Sequence, residues 1–151
     1  MNQHEMFSEN VRRHFVFLLD EFDFSLVDDR YDEKSNSCIL TYKNKCRHVD
    51  LVWGLRDQQF YFAVYRVLEN GLKAPYANDS SDLFYIINLA SFFESSLDIE
   101  YLISMNYYQP NQQILEEKIR LNAELLHKHG KAILEGKSWF DWQAKKMIVD
   151  G

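Results

Sequence analysis

Glycine, proline and cysteine are all scarce in this chain, numbering five, two and two among 151 residues. The glycines stand alone at 54, 71, 130, 136 and 151, so there is no Gly-rich loop to cradle a phosphate. Little Gly and Pro also argues against collagen-like or linker sequence, and no internal repeat or low-complexity tract is present. Long hydrophobic runs are missing too. The longest candidate, Leu83 to Phe93, contains Asn88 and Ser91 and is shorter than the roughly 18 residues a membrane span needs. Met1 to Arg13 holds no apolar core flanked by a cleavage signal. Basic residues are in deficit, 17 against 23 acids, for a formal charge of −6. That balance disfavours a nucleic-acid binder, because phosphate contacts need Lys or Arg.

The two cysteines, Cys38 and Cys46, flank one hairpin. With a two-residue loop at Asn44-Lys45, Cys38 sits five steps from the position opposite Cys46, or roughly 16 Å. A disulfide tolerates about 7 Å between Cα atoms, so both thiols are expected to be free and a reducing cytoplasm is the simplest setting.

What is present is a two-faced sheet. In Cys46 to Leu55, alternation puts Val49, Leu51, Trp53 and Leu55 on one face and Cys46, His48, Asp50 and Val52 on the other. In Phe60 to Leu68, Phe60, Phe62 and Val64 share a face with Arg66 and Leu68, opposite Tyr61, Ala63, Tyr65 and Val67. Loop parity decides which faces coincide. An even loop sets Leu40 against Val49 and Cys38 against Leu51, and the four residues Arg56 to Gln59 set Leu55 against Phe60 and Trp53 against Phe62. Phe24 to Tyr31 adds a strand, with Phe24, Leu26 and Asp28 alternating against Ser25, Val27 and Asp29.

Helices bracket the meander. Phe7, Val11, Phe15, Leu18 and Phe22 form one apolar stripe at steps of four, four, three and four. Asn2 followed by Glu5 resembles a capping box. Ser80 or Ser81 caps a second helix, about Asp82 to Glu94, that buries Leu83, Ile86, Ile87, Ala90 and Phe93. A short helix follows Asp98, and Pro110 opens the longest one. On that helix Leu115, Ile119, Asn122, Leu126, Gly130, Ile133 and Leu134 trace one face, while Glu116, Glu117, Lys118 and Lys128 read as solvated. Gly136 is the stop, and Trp139, Phe140 and Trp142 tack the tail to the body. With 46% apolar and 15% aromatic residues, the chain can bury about 68–70% of its unfolded surface. The expected architecture is one α+β domain over residues 1–151: an antiparallel meander of about four strands, preceded by one helix and followed by a C-terminal helical segment packed on one face.

Chemistry is sparse. On a strand, Cys46, His48 and Asp50 would project to one face, giving either nucleophile, base and orienting acid or three metal ligands. Their neighbours across the hairpin, Ile39, Thr41 and Lys43, complete no metal site, and an open sheet face excludes little water. No metal or other cofactor is expected. Glu124 and His127 have the spacing of half a di-iron motif, without a second copy. His127 and His129 point about 200° apart on a helix, and His4 and His14 read as surface or boundary residues.

The acids cluster as Asp20, Glu21 and Asp23, then Asp28, Asp29, Asp32 and Glu33. The latter four, with His48, Asp50, Tyr61 and Tyr65 on the outer sheet face, are the candidate protein-binding residues. Acids would steer a basic partner and the tyrosines would anchor it.

Leu125-Leu126, His129-Gly130, Ile133-Leu134, Gly136, Trp139 and Trp142, preceded by Phe22-Asp23-Phe24 and the meander, resemble small bacterial α+β proteins of the toxin-immunity type. That resemblance implies a role and no catalytic or metal residue: stoichiometric occlusion of a basic toxin domain. Two alternatives stand beside this protein-binding module. One is a small hydrolase or thiol enzyme using Cys46, His48 and Asp50; the other is a structural domain that forms homo-oligomers through its tyrosine face.

Overall fold

The structure, a computed structural model, describes residues 2–56, 58–67, 83–84, 112–141 and 146–149. Its elements are α1 (Gln3–His14), α2 (Phe17–Phe22), β1 (Ser25–Asp32), β2 (Ser37–Lys43), β3 (Arg47–Gly54), β4 (Gln59–Arg66), β5 (Leu83–Phe84), α3 (Gln112–His129), α4 (Lys131–Leu134), β6 (Ser138–Asp141) and β7 (Lys146–Val149). The α+β class and the four-strand antiparallel meander are as the alternation predicts.

The N-terminal stripe is carried by two helices where one was expected. The Asn2 side chain accepts from Glu5 N–H at 2.8 Å and donates to the Glu5 carboxylate at 3.2 Å, so Asn2 is the N-cap the sequence predicts, with Glu5 bonding its side chain. The break at Phe15–Val16 has a steric reason. Phe15 and Phe17 are both buried, yet a straight helix would turn residues two apart by about 200°. Breaking the helix brings their rings within 5.9 Å, and Phe15 reaches the sheet at Phe62, 5.8 Å away.

The sheet runs β1-β2-β3-β4-β5, antiparallel throughout, and β6 and β7 form a separate hairpin. Both loops have the even parity expected, but each turns one residue away from its expected position. Leu40 pairs with Leu51 and Cys38 with Trp53, where Val49 and Leu51 were expected. Trp53 pairs with Phe60 and Leu51 with Phe62, in place of Leu55 and Trp53 as the expected partners of those rings. Because side chains alternate with period two, the shift preserves every face. The helix-facing side is therefore apolar: Cys38, Leu40, Tyr42, Val49, Leu51, Trp53, Phe60, Phe62 and Val64 are buried in one core with Phe7 and Val11 of α1, Phe15 at its C-cap, and Leu115, Ile119 and Leu126 of α3. Phe7 lies 5.9 Å from Trp53 and 6.0 Å from Phe60.

A bulge between Leu26 and Asp28 changes the phase of β1. Leu26 and Asp29 pair with Tyr42 and Leu40 on the helix side, while Asp28 pairs with Thr41 on the outer side. The expected alternation, with Leu26 and Asp28 together, fails because the extra residue, Val27, absorbs one step.

Three other expectations are corrected. Leu83 and Phe84 pair with Tyr65 and Val64 as a strand, so a helix from Asp82 does not begin there; the remainder of that segment, the short helix after Asp98, Pro110 and Trp142 lie outside the described residues. The long helix stops at His129. Gly130 donates to Leu126 O at 2.7 Å, and a Cβ on Gly130 would stand 2.6 Å from that same oxygen, too close for any other residue without a shift. Lys118, expected to be solvated, is 1% exposed, and its Nζ has no hydrogen-bond partner among the described residues.

Burial lowers the Lys118 pKa, since an ammonium is costly in an apolar setting. Lys118→Met, close in length and apolar, should stabilise the protein by about 1–3 kcal/mol at neutral pH. The unfolded chain keeps the lysine near its ordinary 10.5 and so binds protons more readily than the folded one. Wild-type stability therefore rises as pH climbs from the lowered folded value towards the unfolded value, and the advantage of Lys118→Met should shrink over that window. Urea titrations at several pH values check both the sign and the convergence.

Candidate functional site

The turn joining β2 and β3 decides the fate of the Cys46, His48, Asp50 constellation. Asn44 N–H donates to Arg47 O at 3.1 Å, and Asn44 Oδ1 accepts from Cys46 N at 2.9 Å and Arg47 N at 2.8 Å. This Asx-type closure moves the hairpin tip to Lys45–Cys46 and removes Cys46 from the strand. Its sulfur lies against Gly136, whose φ is +77° and where an added Cβ would fall 2.6 Å from Cys46 Sγ. Asp50 remains on β3 and accepts from Thr41 Oγ1 across the ladder at 2.9 Å. The thiol is thus held by a turn and the carboxylate by a cross-strand hydroxyl. The strand geometry that would have aligned three chemical groups is not formed.

Cys38, the other free thiol, is buried in the core. Burial, with the Asp29 carboxylate adding to it, pushes its pKa up to about 11, far from the thiolate that a nucleophile requires. Among the described residues, no group of three His, Cys, Asp or Glu side chains is placed to hold a metal ion, and no helix is long and apolar enough to cross a membrane.

Asp28, His48, Asp50 and Tyr65 are brought to neighbouring rows of the outer face, while Asp29 turns to the helix side. Asp28, Thr41, Asp50 and Ala63 form one row across the outer face, and Lys43, His48 and Tyr65 form the next. Tyr65 is only 7% exposed and joins Ala63 in a small second core, so it is not the exposed anchor expected. Tyr61 pairs by its backbone with Val52; its side chain lies outside the described residues. Glu33 is exposed at the β1–β2 turn.

The acids of β1 are mostly matched within the chain. Arg30 bonds Asp28 at 2.8 Å and approaches Asp32 at 3.5 Å, and Ser35 donates to Asp32 at 2.7 Å. Asp29 turns inward to α1, where Arg12 and Ser8 donate to its Oδ2 and His4 Nε2 lies 2.8 Å from its Oδ1. Burial raises the Asp29 pKa, but the hydrogen bonds from Arg12 and Ser8 and the neighbouring charges of Arg12 and His4 outweigh it, so the net shift is downward. Asp29 is therefore a clamp between α1 and β1. Asp29→Asn should cost about 1–2 kcal/mol at neutral pH. A carboxylate depressed on folding contributes above its unfolded pKa and loses that contribution as pH falls through the folded value. The deficit of Asp29→Asn should accordingly close below about pH 4, as read from thermal melts between pH 2 and 7.

Different residues stand out on the surface. Around the α2 turn Val16, Leu19, Asp20 and Asp23 recur at i, i+3, i+4 and i+7, the solvent complement of the buried Phe17, Leu18 and Phe22. Val16 and Leu19 are 48% and 45% exposed. That spacing was legible in the sequence beneath the more conspicuous apolar stripe. Asp23 caps α2 in the left-handed conformation, φ 62°, and with Ser25, Val27, Lys43, Asn44, Lys45 and Val67 lines an open depression of about 480 Å³. At the far side of α2, His127 of α3 stacks on Phe17, with ring centroids 4.4 Å apart, and pairs with Glu21 at 2.9 Å.

No protein-family model, curated protein or solved structure matches this chain.

Proposed function

We propose that this protein is a non-catalytic protein-binding module, most concretely an immunity protein acting in the cytoplasm, that neutralises a basic toxin domain by covering it in a stoichiometric complex. The observation that carries the reading is the separation of Cys46 from the Asp50–Thr41 pair. Without a converged nucleophile, base and acid, the thiol-enzyme alternative loses the geometry that nucleophilic catalysis needs. A net charge of −6 suits a basic protein partner and is unfavourable for nucleic acid. The likeness of Leu125 to Trp142, preceded by Phe22-Asp23-Phe24 and the meander, to toxin-immunity proteins adds the role.

The test is to purify the chain together with the product of the reading frame immediately upstream. A heterologous complex of defined stoichiometry by light scattering, together with suppression of that product's toxicity in cells, is the expected result. Cys46→Ser should suppress toxicity as well as wild type does. If the two proteins elute separately, or if Cys46→Ser abolishes protection while the complex still forms, the binding-module reading is wrong.

A further inference from the structure

We propose that the solvent face of the α2 turn, formed by Val16, Leu19, Asp20 and Asp23, is the docking surface for a basic protein partner. The inference rests on the binding-module reading and adds to it a location and a partner chemistry.

The chain carries two acidic clusters, and the structure treats them differently. On β1, Asp28, Asp29 and Asp32 are all engaged by Arg30, Arg12, His4, Ser8 or Ser35. A cation arriving at those three would compete with groups already in place, and only Glu33, at the β1–β2 turn, makes no ion pair among the described residues of that cluster. On α2, Glu21 holds His127, but Asp20 and Asp23 make no ion pair among the described residues, and the helix itself contains no basic residue. Their field is directed outward.

The α2 face is also apolar. Val16 and Leu19 lie one helical turn apart and stand about half exposed, although burying a Val or Leu is worth roughly 1.5–3 kcal/mol in general. Val27, 55% exposed, adds apolar surface to the depression that Asp23 also lines. Val27 is the extra residue of the bulge in β1 and has no ladder partner on β2. Binding surfaces concentrate energy in a desolvated apolar centre, with charges at the rim setting register and encounter rate. Here the centre is Val16 and Leu19 and the rim is Asp20 and Asp23. The partner that fits presents an aliphatic or aromatic side chain flanked by Lys or Arg. Its basic groups would lie over α2, because Lys43 and Lys45 already line the depression with Asp23.

The test uses the full chain and, as probe, the purified product of the reading frame immediately upstream. Leu19→Lys combined with Asp20→Lys alters only exposed positions, and circular dichroism checks that the fold is kept. This variant should weaken the complex on the order of 100-fold and flatten the dependence of association rate on salt. Asp32→Lys combined with Glu33→Lys, at the β1–β2 turn, should change affinity less than about threefold. If the complex forms with wild type and survives the α2 variant, the surface is wrong while the binding-module reading stands. The same holds if the β1–β2 variant is the one that weakens it. If wild type forms no complex with the probe, the reading itself fails and takes this inference with it. If wild type self-associates with rising concentration and Leu19→Lys dissolves the dimer, the face is a self-interface and the proposal is overturned.

Discussion

Arg47→Ala should destabilise the protein by about 3–4 kcal/mol, the largest effect expected of any single polar substitution here. The side chain is 3% exposed and spreads its donors over three carbonyls that belong to different parts of the chain. Nε reaches Ile133 O at 2.9 Å, Nη2 reaches Ser138 O at 3.1 Å and Nη1 reaches Cys46 O at 2.9 Å. The guanidinium also lies 4.7 Å from the centroid of the Trp139 ring, and Arg66 lies 4.9 Å from the same centroid. Truncation would remove a fork, leaving Ile133 O with the Gly136 N–H and taking the guanidinium donor from Ser138 O at the start of β6. Those acceptors could not recover water without opening the interface. Arg47→Lys keeps the charge but offers one compact ammonium in place of a planar fork, so it should recover less than half of the loss. Urea denaturation of the three proteins checks this, with an unchanged slope showing that the transition remains two-state. Equal stability of Arg47→Lys and wild type would mean that charge alone, without the fork, ties the C-terminal segment to the hairpin.

Asn44→Ala should cost about 2–3 kcal/mol. One amide serves four partners: Oδ1 accepts from Cys46 N and Arg47 N, and Nδ2 donates to Phe22 O and Leu134 O, both at 3.0 Å. It closes the β2–β3 turn, caps the end of α2 and holds the end of α4. Asn44→Asp keeps the acceptor but loses both donations and sets a carboxylate against two carbonyl oxygens, so it should be at least as harmful as Ala. Because Asn44 orients the backbone of Arg47, the double variant Asn44→Ala with Arg47→Ala should lose less than the sum of the single losses. Residues that share one network couple in this way. Strict additivity would show the two side chains acting as independent ties.

Face assignments were readable from alternation because side-chain direction in a strand has period two. Leu40, Leu51, Trp53, Phe60 and Phe62 are on the helix side, as expected, even though both loops turn one residue away from their expected positions. The buried stripe Phe7, Val11, Phe15, Leu18 and Phe22 was equally readable, since its spacing belongs to a helix whether or not that helix is broken once. The break itself was not, because it answers to Phe17 packing beside Phe15 and His127, a contact across 110 residues of sequence separation. The candidate site was less legible. The row Cys46, His48, Asp50 depended on Cys46 being in the strand, and one Asn side chain moved it into the turn. Asp29 looked like one more surface acid until a bulge turned it towards Arg12.

Spacing along the chain was enough for the α+β class, the apolar face of the meander, the N-cap at Asn2 and the excess of negative charge, because each rests on local periodicity, local hydrogen bonding or a simple sum. Tertiary structure alone decided which acids are matched by cations, that Lys118 and Tyr65 are buried, and that Asn44 and Arg47 join the hairpin to the C-terminal segment. Those outcomes follow from which distant groups are brought together when the chain closes, and neither spacing nor composition along the chain encodes the identity of a neighbour 90 residues away.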